Sequence, residues 1–217
     1  ISGSATGNLF GFSLAAGRVS DTQDAIDDLV VGAPGNGLVY VWDGRTAWNS
    51  SYNATNCSTS SCRTTTYTTG CGYSVLVDKF LAGSSAYKGR DHVAYSCPDW
   101  NSAMGIIFFA YNDGALNASY DDYMYDGNTY SQYMGKSLAA GDFNNDGTID
   151  IVSGAPNFNS NQGQIHFWYN NGLMYKYNSD LIIPGETSTA YAFGTSVAAG
   201  DLDADGDTDI AIGAPIY

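Results

Sequence analysis

Four short endings of the type Gly-Ala-Pro close at Pro34, Pro98, Pro156 and Pro215, and the intervals between those prolines are 64, 58 and 59 residues. A chain that repeats itself at such a period folds as a series of supersecondary units, each burying its apolar surface only against its neighbours. The first copy runs from Phe10-Gly11-Phe12-Ser13-Leu14-Ala15-Ala16-Gly17 to Leu29-Val30-Val31-Gly32-Ala33-Pro34. The second opens on Cys71-Gly72-Tyr73-Ser74-Val75 and closes on Val93-Ala94-Tyr95-Ser96-Cys97-Pro98. The third runs from Met134-Gly135-Lys136-Ser137 to Ile151-Val152-Ser153-Gly154-Ala155-Pro156, and the fourth from Phe193-Gly194 to Gly213-Ala214-Pro215.

Each copy supplies two short strands of small and β-branched residues. An aromatic, alternating third strand follows at 37–42, 105–111 and 164–169, and a more polar outer one at about 63–68, 122–125 and 174–183. Four short strands per sixty-residue unit is the pattern of a β-propeller blade. The expected fold is therefore all-β, a single propeller region over 1–217 with units at about 1–62, 63–125, 126–185 and a partial 186–217. On this reading the chain holds three full blades and half of a fourth. It is then either a fragment of a longer chain or one completed by a neighbour.

Between the two strands of the fourth copy, acids stand at every second position: Asp201, Asp203, Asp205, Asp207 and Asp209. Such a run repels itself unless a cation sits within it. Oxygen donors at alternate positions, with Gly206 relieving the turn, suit a hard ion such as calcium. An EF-hand is excluded, because position twelve is Ile212 rather than Glu and both flanks read as strands.

The net charge of −14 excludes nucleic acid and anionic membrane as partners. No apolar run is long enough to span a bilayer, and no signal sequence opens at Ile1, as expected of a mature or internal segment. The cysteines are even in number (Cys57, Cys62, Cys71, Cys97), and glycosylation acceptors stand at Asn49, Asn53, Asn56 and Asn117. Together these indicate a secreted, glycosylated protein.

The motif from Phe193-Gly194 through Gly213-Ala214-Pro215, with its echoes, resembles the FG-GAP repeat of integrin α-subunit β-propellers and related extracellular propellers. The resemblance implies calcium in the loop between the first two strands of a blade. Carried over by position, it implies Asp142, Asn144, Asp146, the carbonyl of Thr148 and Asp150 as ligands in the third copy. In the fourth it implies Asp201, Asp203, Asp205, the carbonyl of Asp207 and Asp209. The first copy departs, with Arg18 where the leading acid belongs; Asp24 and Asp28 keep ligand positions, helped by Ser20, Asp21 or Thr22. A third calcium site and a merely hydrogen-bonded acidic turn both stay open there.

The second copy has lost the site, with Lys79, Lys88 and Arg90 where carboxylates belong in the loop from Asp78 to His92. Cys71 replaces the Phe of the opening and Cys97 the Ala of the closing, so the register of the repeat expects a Cys71–Cys97 disulfide, and a Cys57–Cys62 bridge closing the glycosylated loop. His92 and His166 read as ordinary strand residues, and the tryptophans as packing between blades or on outer strands. No nucleophile elbow, phosphate loop or zinc-protease motif is present, so no enzyme is expected.

The sequence thus describes a non-enzymatic calcium-binding propeller for adhesion, recognition or structure, with a protein or glycan ligand at the cell surface or matrix. The alternatives are a head-to-tail filament or surface-coat subunit, self-associating through incomplete blade ends, a lectin, or an accessory propeller of a larger secreted enzyme.

Overall fold

The computed structural model describes residues 5–19, 26–44, 62–66, 70–80, 91–110, 122–124, 132–172, 176–186 and 191–215. These form three four-stranded sheets and one two-stranded sheet, all antiparallel and in chain order. The first holds β1 (Ser13–Gly17), β2 (Asp28–Ala33), β3 (Leu38–Trp42) and β4 (Cys62–Thr66). The second holds β5 (Val75–Asp78), β6 (His92–Cys97), β7 (Ile106–Ala110) and β8 (Asp122–Met124). The third holds β9 (Ser137–Gly141), β10 (Asp150–Ala155), β11 (Gln164–Trp168) and β12 (Leu181–Pro184). The last pairs β13 (Ser196–Gly200) with β14 (Asp209–Gly213).

The first strand of each sheet lies beside the first strand of the next, β1 by β5, β5 by β9 and β9 by β13. These are propeller blades, stacked face to face. Because β6 and β10 are covered on both faces, every residue in them is buried, and after the leading His92 and Asp150 their sequences read as apolar or small runs. The core accordingly lies between blades. Val30, Val39 and Val41 meet Val93, Tyr95 and Phe108; Ala94, Ile107 and Phe109 meet Leu138, Ile151 and Trp168. Val152, Ile165 and Phe167 meet Val197, Ile210 and Ile212. Trp168 is buried in the cluster that joins the second and third blades, the packing role expected of it, whereas Trp42 is buried among residues of its own blade, Val31, Ala33 and Tyr40.

The two ends of the repeated motif form one bonded unit. The N–H groups of Gly11, Gly135 and Gly194 donate to the carbonyls of Gly32, Gly154 and Gly213, each at 3.1 Å. Across the blade boundary, Gly154 meets the Gly194 carbonyl so closely that a Cβ would lie 1.8 Å from its oxygen; Gly32 meets Gly72 in the same way at 2.1 Å.

The expected Cys71–Cys97 disulfide is present, with both residues fully buried. Cys57 and the side chain of Cys62, like Asn49, Asn53, Asn56 and Asn117, lie outside the described residues, so the second bridge and the acceptors remain expectations. Two features differ from the sequence reading. The outer strand of the third blade is Leu181–Pro184, exposed but apolar, and ahead of it Lys176 and Asp180 form an ion pair at 2.6 Å while Asp180 also accepts the Tyr169 N–H, fixing a turn. Single helical turns at Trp100–Ala103 and Phe158–Asn161 connect the second and third strands of their blades, with Asn101, Ser102, Asn159 and Ser160 at positive φ.

Candidate metal centre

Loops 142–150 and 201–209 join the first two strands of the third and fourth blades, and they fold alike. Residues four and six of each adopt left-handed backbone: Asn145 (φ 58°) and Gly147 (φ 84°) in one, Ala204 (φ 64°) and Gly206 (φ 95°) in the other. Asn and Gly tolerate that conformation, and it turns the chain tightly around its own carboxylates.

The leading acid takes two N–H groups across the turn. Asp142 accepts from Asp146 (3.1 Å) and Gly147 (2.8 Å), and Asp201 from Asp205 and Gly206 (both 3.1 Å). Asn144 Oδ1 accepts from the Asp146 N–H at 3.1 Å, and Asp203 from the Asp205 N–H at 3.2 Å. Thr148 and Asp207, expected to offer carbonyls, occupy equivalent places. Their N–H groups donate to Asp146 and Asp205, each at 2.9 Å. The closing acids accept the N–H that follows the leading one, Phe143 to Asp150 at 3.0 Å and Leu202 to Asp209 at 2.8 Å.

Asp201, Asp203 and Asp209 bring carboxylate oxygens within 4.8 Å of one another. Three hard oxygen donors held that close fit a divalent cation of the calcium type. The third-blade loop repeats the same main-chain hydrogen bonds, with Asn144 in place of one acid. Asp150 is buried, and burial holds its carboxyl above the ordinary aspartate range; N–H groups of Asn170 and Phe143 oppose this, while the charges of Asp146 and Asp142 add to it. Asp146 lies below that range because the Thr148 hydroxyl, the Asn144 amide and the Thr148 N–H all donate to it.

In the first blade Asp28 is buried at the position of Asp150. Its oxygens accept from Val19 (2.8 Å) and Gly44 (2.9 Å), as those of Asp150 accept from Phe143 and Asn170. Asp24, its expected partner, lies outside the described residues. In the second blade the strand register puts buried His92 opposite Asp78, where the other blades place Asp28, Asp150 and Asp209 opposite glycines. The neighbouring Asp91 instead accepts the Arg18 N–H of the first blade at 2.8 Å and returns its own N–H to the Arg18 carbonyl at 3.3 Å. His166 joins a buried polar chain from Gln132 through Gln164 to Ser179, so it is more than a passive strand residue.

Asn170 is the residue that sequence reasoning missed. Asn170-Asn171-Gly172 reads as an ordinary turn, yet Asn170 is buried against Asp150. At the other end of the first strands a cavity of about 500 Å³ is lined by Phe12, Tyr73, Lys136 and Thr195, each following the motif's glycine, with Asn157 and Asn161. Lys136 Nζ lies 3.8 Å from the Tyr73 ring centroid. Among the described residues no helix is long and apolar enough to cross a membrane.

Comparison with known proteins agrees with this geometry. Residues 142–212, which contain both loops, match the family model for the FG-GAP-like repeat. Integrin alpha-V of Gallus gallus is 40% identical over 39% of this chain and 8% of its own length; integrin alpha-5 of Xenopus laevis is 38% identical over 46% and 8%. Integrin alpha pat-2 of Caenorhabditis elegans is 32% identical over 68% and 11%. The chain thus spans about a tenth of the length of these curated relatives. The solved Dos1 propeller aligns over 86% of this chain and 38% of its own, with TM-score 0.48 and 18% identity. Residues 142–212 are thus FG-GAP-like repeat within a β-propeller chain that is similar to integrin α-subunits.

Proposed function

We propose that the chain is part of an extracellular, calcium-binding propeller that serves adhesion or recognition and catalyses no reaction. The observation that carries the calcium reading is the identical folding of loops 142–150 and 201–209, with the Asp201, Asp203 and Asp209 oxygens within 4.8 Å. Similarity to integrin α-subunits supports the recognition role and an extracellular setting. Calcium here is structural. It neutralises clustered carboxylates and fixes the loops, leaving the opposite end of the blades, with its cavity, to meet a protein ligand.

Calorimetric titration of the metal-free chain with calcium tests the metal reading. Two sites are expected; Asp201→Asn with Asp203→Asn should remove one, and Asp142→Asn with Asp146→Asn the other. Absence of calcium uptake by the intact chain would refute the reading. Arrays of matrix proteins and of glycans, probed with and without calcium, test recognition. Calcium-dependent capture by protein is expected, and capture by glycans alone would point to a lectin.

A further inference from the structure

Asn170 uses each of its polar atoms, and every bond but one leads to the metal loop or to the preceding blade. Its main-chain N–H donates to Asp150 Oδ1 at 2.7 Å, and its carbonyl accepts from the Thr148 hydroxyl at 2.8 Å. Its side-chain Nδ2 donates to the carbonyl of Ile149 at 3.0 Å and to that of Phe80 at 2.5 Å. Its Oδ1 accepts the Gly172 N–H at 2.9 Å, which holds the amide in that orientation. Three consecutive residues of the loop, Thr148, Ile149 and Asp150, are therefore held by one buried asparagine.

Phe80 belongs to the second blade, where it follows β5 in the loop that has lost the site. Its ring is fully buried and packs edge-on against Phe109 at 5.6 Å, within the cluster joining the second and third blades. The first blade shows that the side chain of Asn170 is not a general need of the fold. Gly44 holds the equivalent position, donating its N–H to Asp28, and a Cβ there would lie 2.1 Å from the Asp27 carbonyl.

We infer that Asn170 is a positioning residue, setting the calcium affinity of loop 142–150 and transmitting occupation of that loop to the metal-free second blade through Phe80. The inference rests on the calcium reading above. A buried residue holding ligands from outside the coordination shell typically changes metal affinity by about 10–100-fold when removed. In the second blade the Asn170–Phe80 bond and the Cys71–Cys97 disulfide then secure what calcium secures in the third and fourth.

Asn170→Ala is made in two backgrounds, each with one loop silenced. With Asp201→Asn and Asp203→Asn, leaving loop 142–150, calcium affinity by calorimetry should fall about tenfold. With Asp142→Asn and Asp146→Asn, leaving loop 201–209, it should not change. Hydrogen exchange supplies a readout that loss of stability alone does not move. Calcium added to the intact chain should slow exchange at Lys79 and Phe80, and should not do so once Asn170 is alanine. Asn170→Ser, which keeps a small polar group, serves if the alanine variant does not fold. Unchanged calcium affinity of loop 142–150 in the variant, or an intact chain that binds calcium without protecting Phe80, would overturn the inference and leave the calcium reading standing. An intact chain that takes up no calcium removes both.

Discussion

One position of the repeat, the first residue of the second strand, shows how far a residue-level reading reaches. Asp28, Asp150 and Asp209 occupy it in three blades and His92 in the other. In the third and fourth blades the acids were legible because oxygen-bearing side chains at every second position leave few explanations for carboxylates so close together. Asn170 was not, because its turn sequence says nothing about the blade it reaches. A pH prediction belongs at this scale. The Asp150 carboxyl is raised by burial, so the folded chain holds that proton more tightly than the unfolded chain. Its contribution therefore makes metal-free stability fall as pH rises from the ordinary value of 3.8 through the raised one. Asp146 is lowered, and its contribution is present above 3.8 and lost as pH falls through its depressed value. In chelator, the Asp150 contribution should thus lower the melting temperature of the native chain as pH rises from about 4 through the raised value. The decline should be shallower in Asp150→Asn and should vanish when calcium is added. Equal slopes for native and variant proteins in chelator would rule the argument out.

At the scale of elements, the inner three strands of each blade were legible from the sequence, because burial on both faces leaves mostly apolar or small residues in β6 and β10. The outer strand was less legible. It has one neighbour, so its composition is free, and in the third blade a turn set by Lys176 and Asp180 takes residues 176–180 of the stretch 174–183 expected to form it. The helical turns escaped because nothing in Asn-Ser composition distinguishes a left-handed turn from a loop. The disulfide was legible only once the repeat had been aligned, since it joins one end of the motif to the other across β5 and β6. Closing 26 residues, it should contribute about 3 kcal/mol by constraining the unfolded chain. Cys71→Ala with Cys97→Ala should lower the denaturation midpoint accordingly while calcium stoichiometry stays unchanged. Loss of a calcium site in that variant would mean that the bridge and the metal loops are not independent.

For the molecule as a whole, the consequence of a core shared between blades is that integrity depends on how closely backbones approach across the boundary. Gly154 marks the narrowest place. A Cβ there would lie 1.8 Å from the Gly194 carbonyl oxygen, 2.8 Å from its carbon and 2.5 Å from Ser137 Oγ. None of these can easily yield. Gly194 sits at φ 87°, its N–H bonds to Gly213, and its carbonyl already accepts the Ser137 hydroxyl at 2.9 Å. Gly154→Ala must therefore push the fourth blade away from the third, opening the apolar seam of Val152, Ile165 and Phe167 against Val197, Ile210 and Ile212. Overpacking of this sort costs about 1–3 kcal/mol, and a clash with main chain belongs at the upper end. The loss should be unevenly distributed. Exchange protection should drop across β13 and β14, while loop 142–150, held from the other side by Asn170 and Phe80, keeps its calcium affinity. An unchanged melting temperature would show that the boundary is looser than its glycines imply, and uniform loss of protection would show that the blades unfold as one unit.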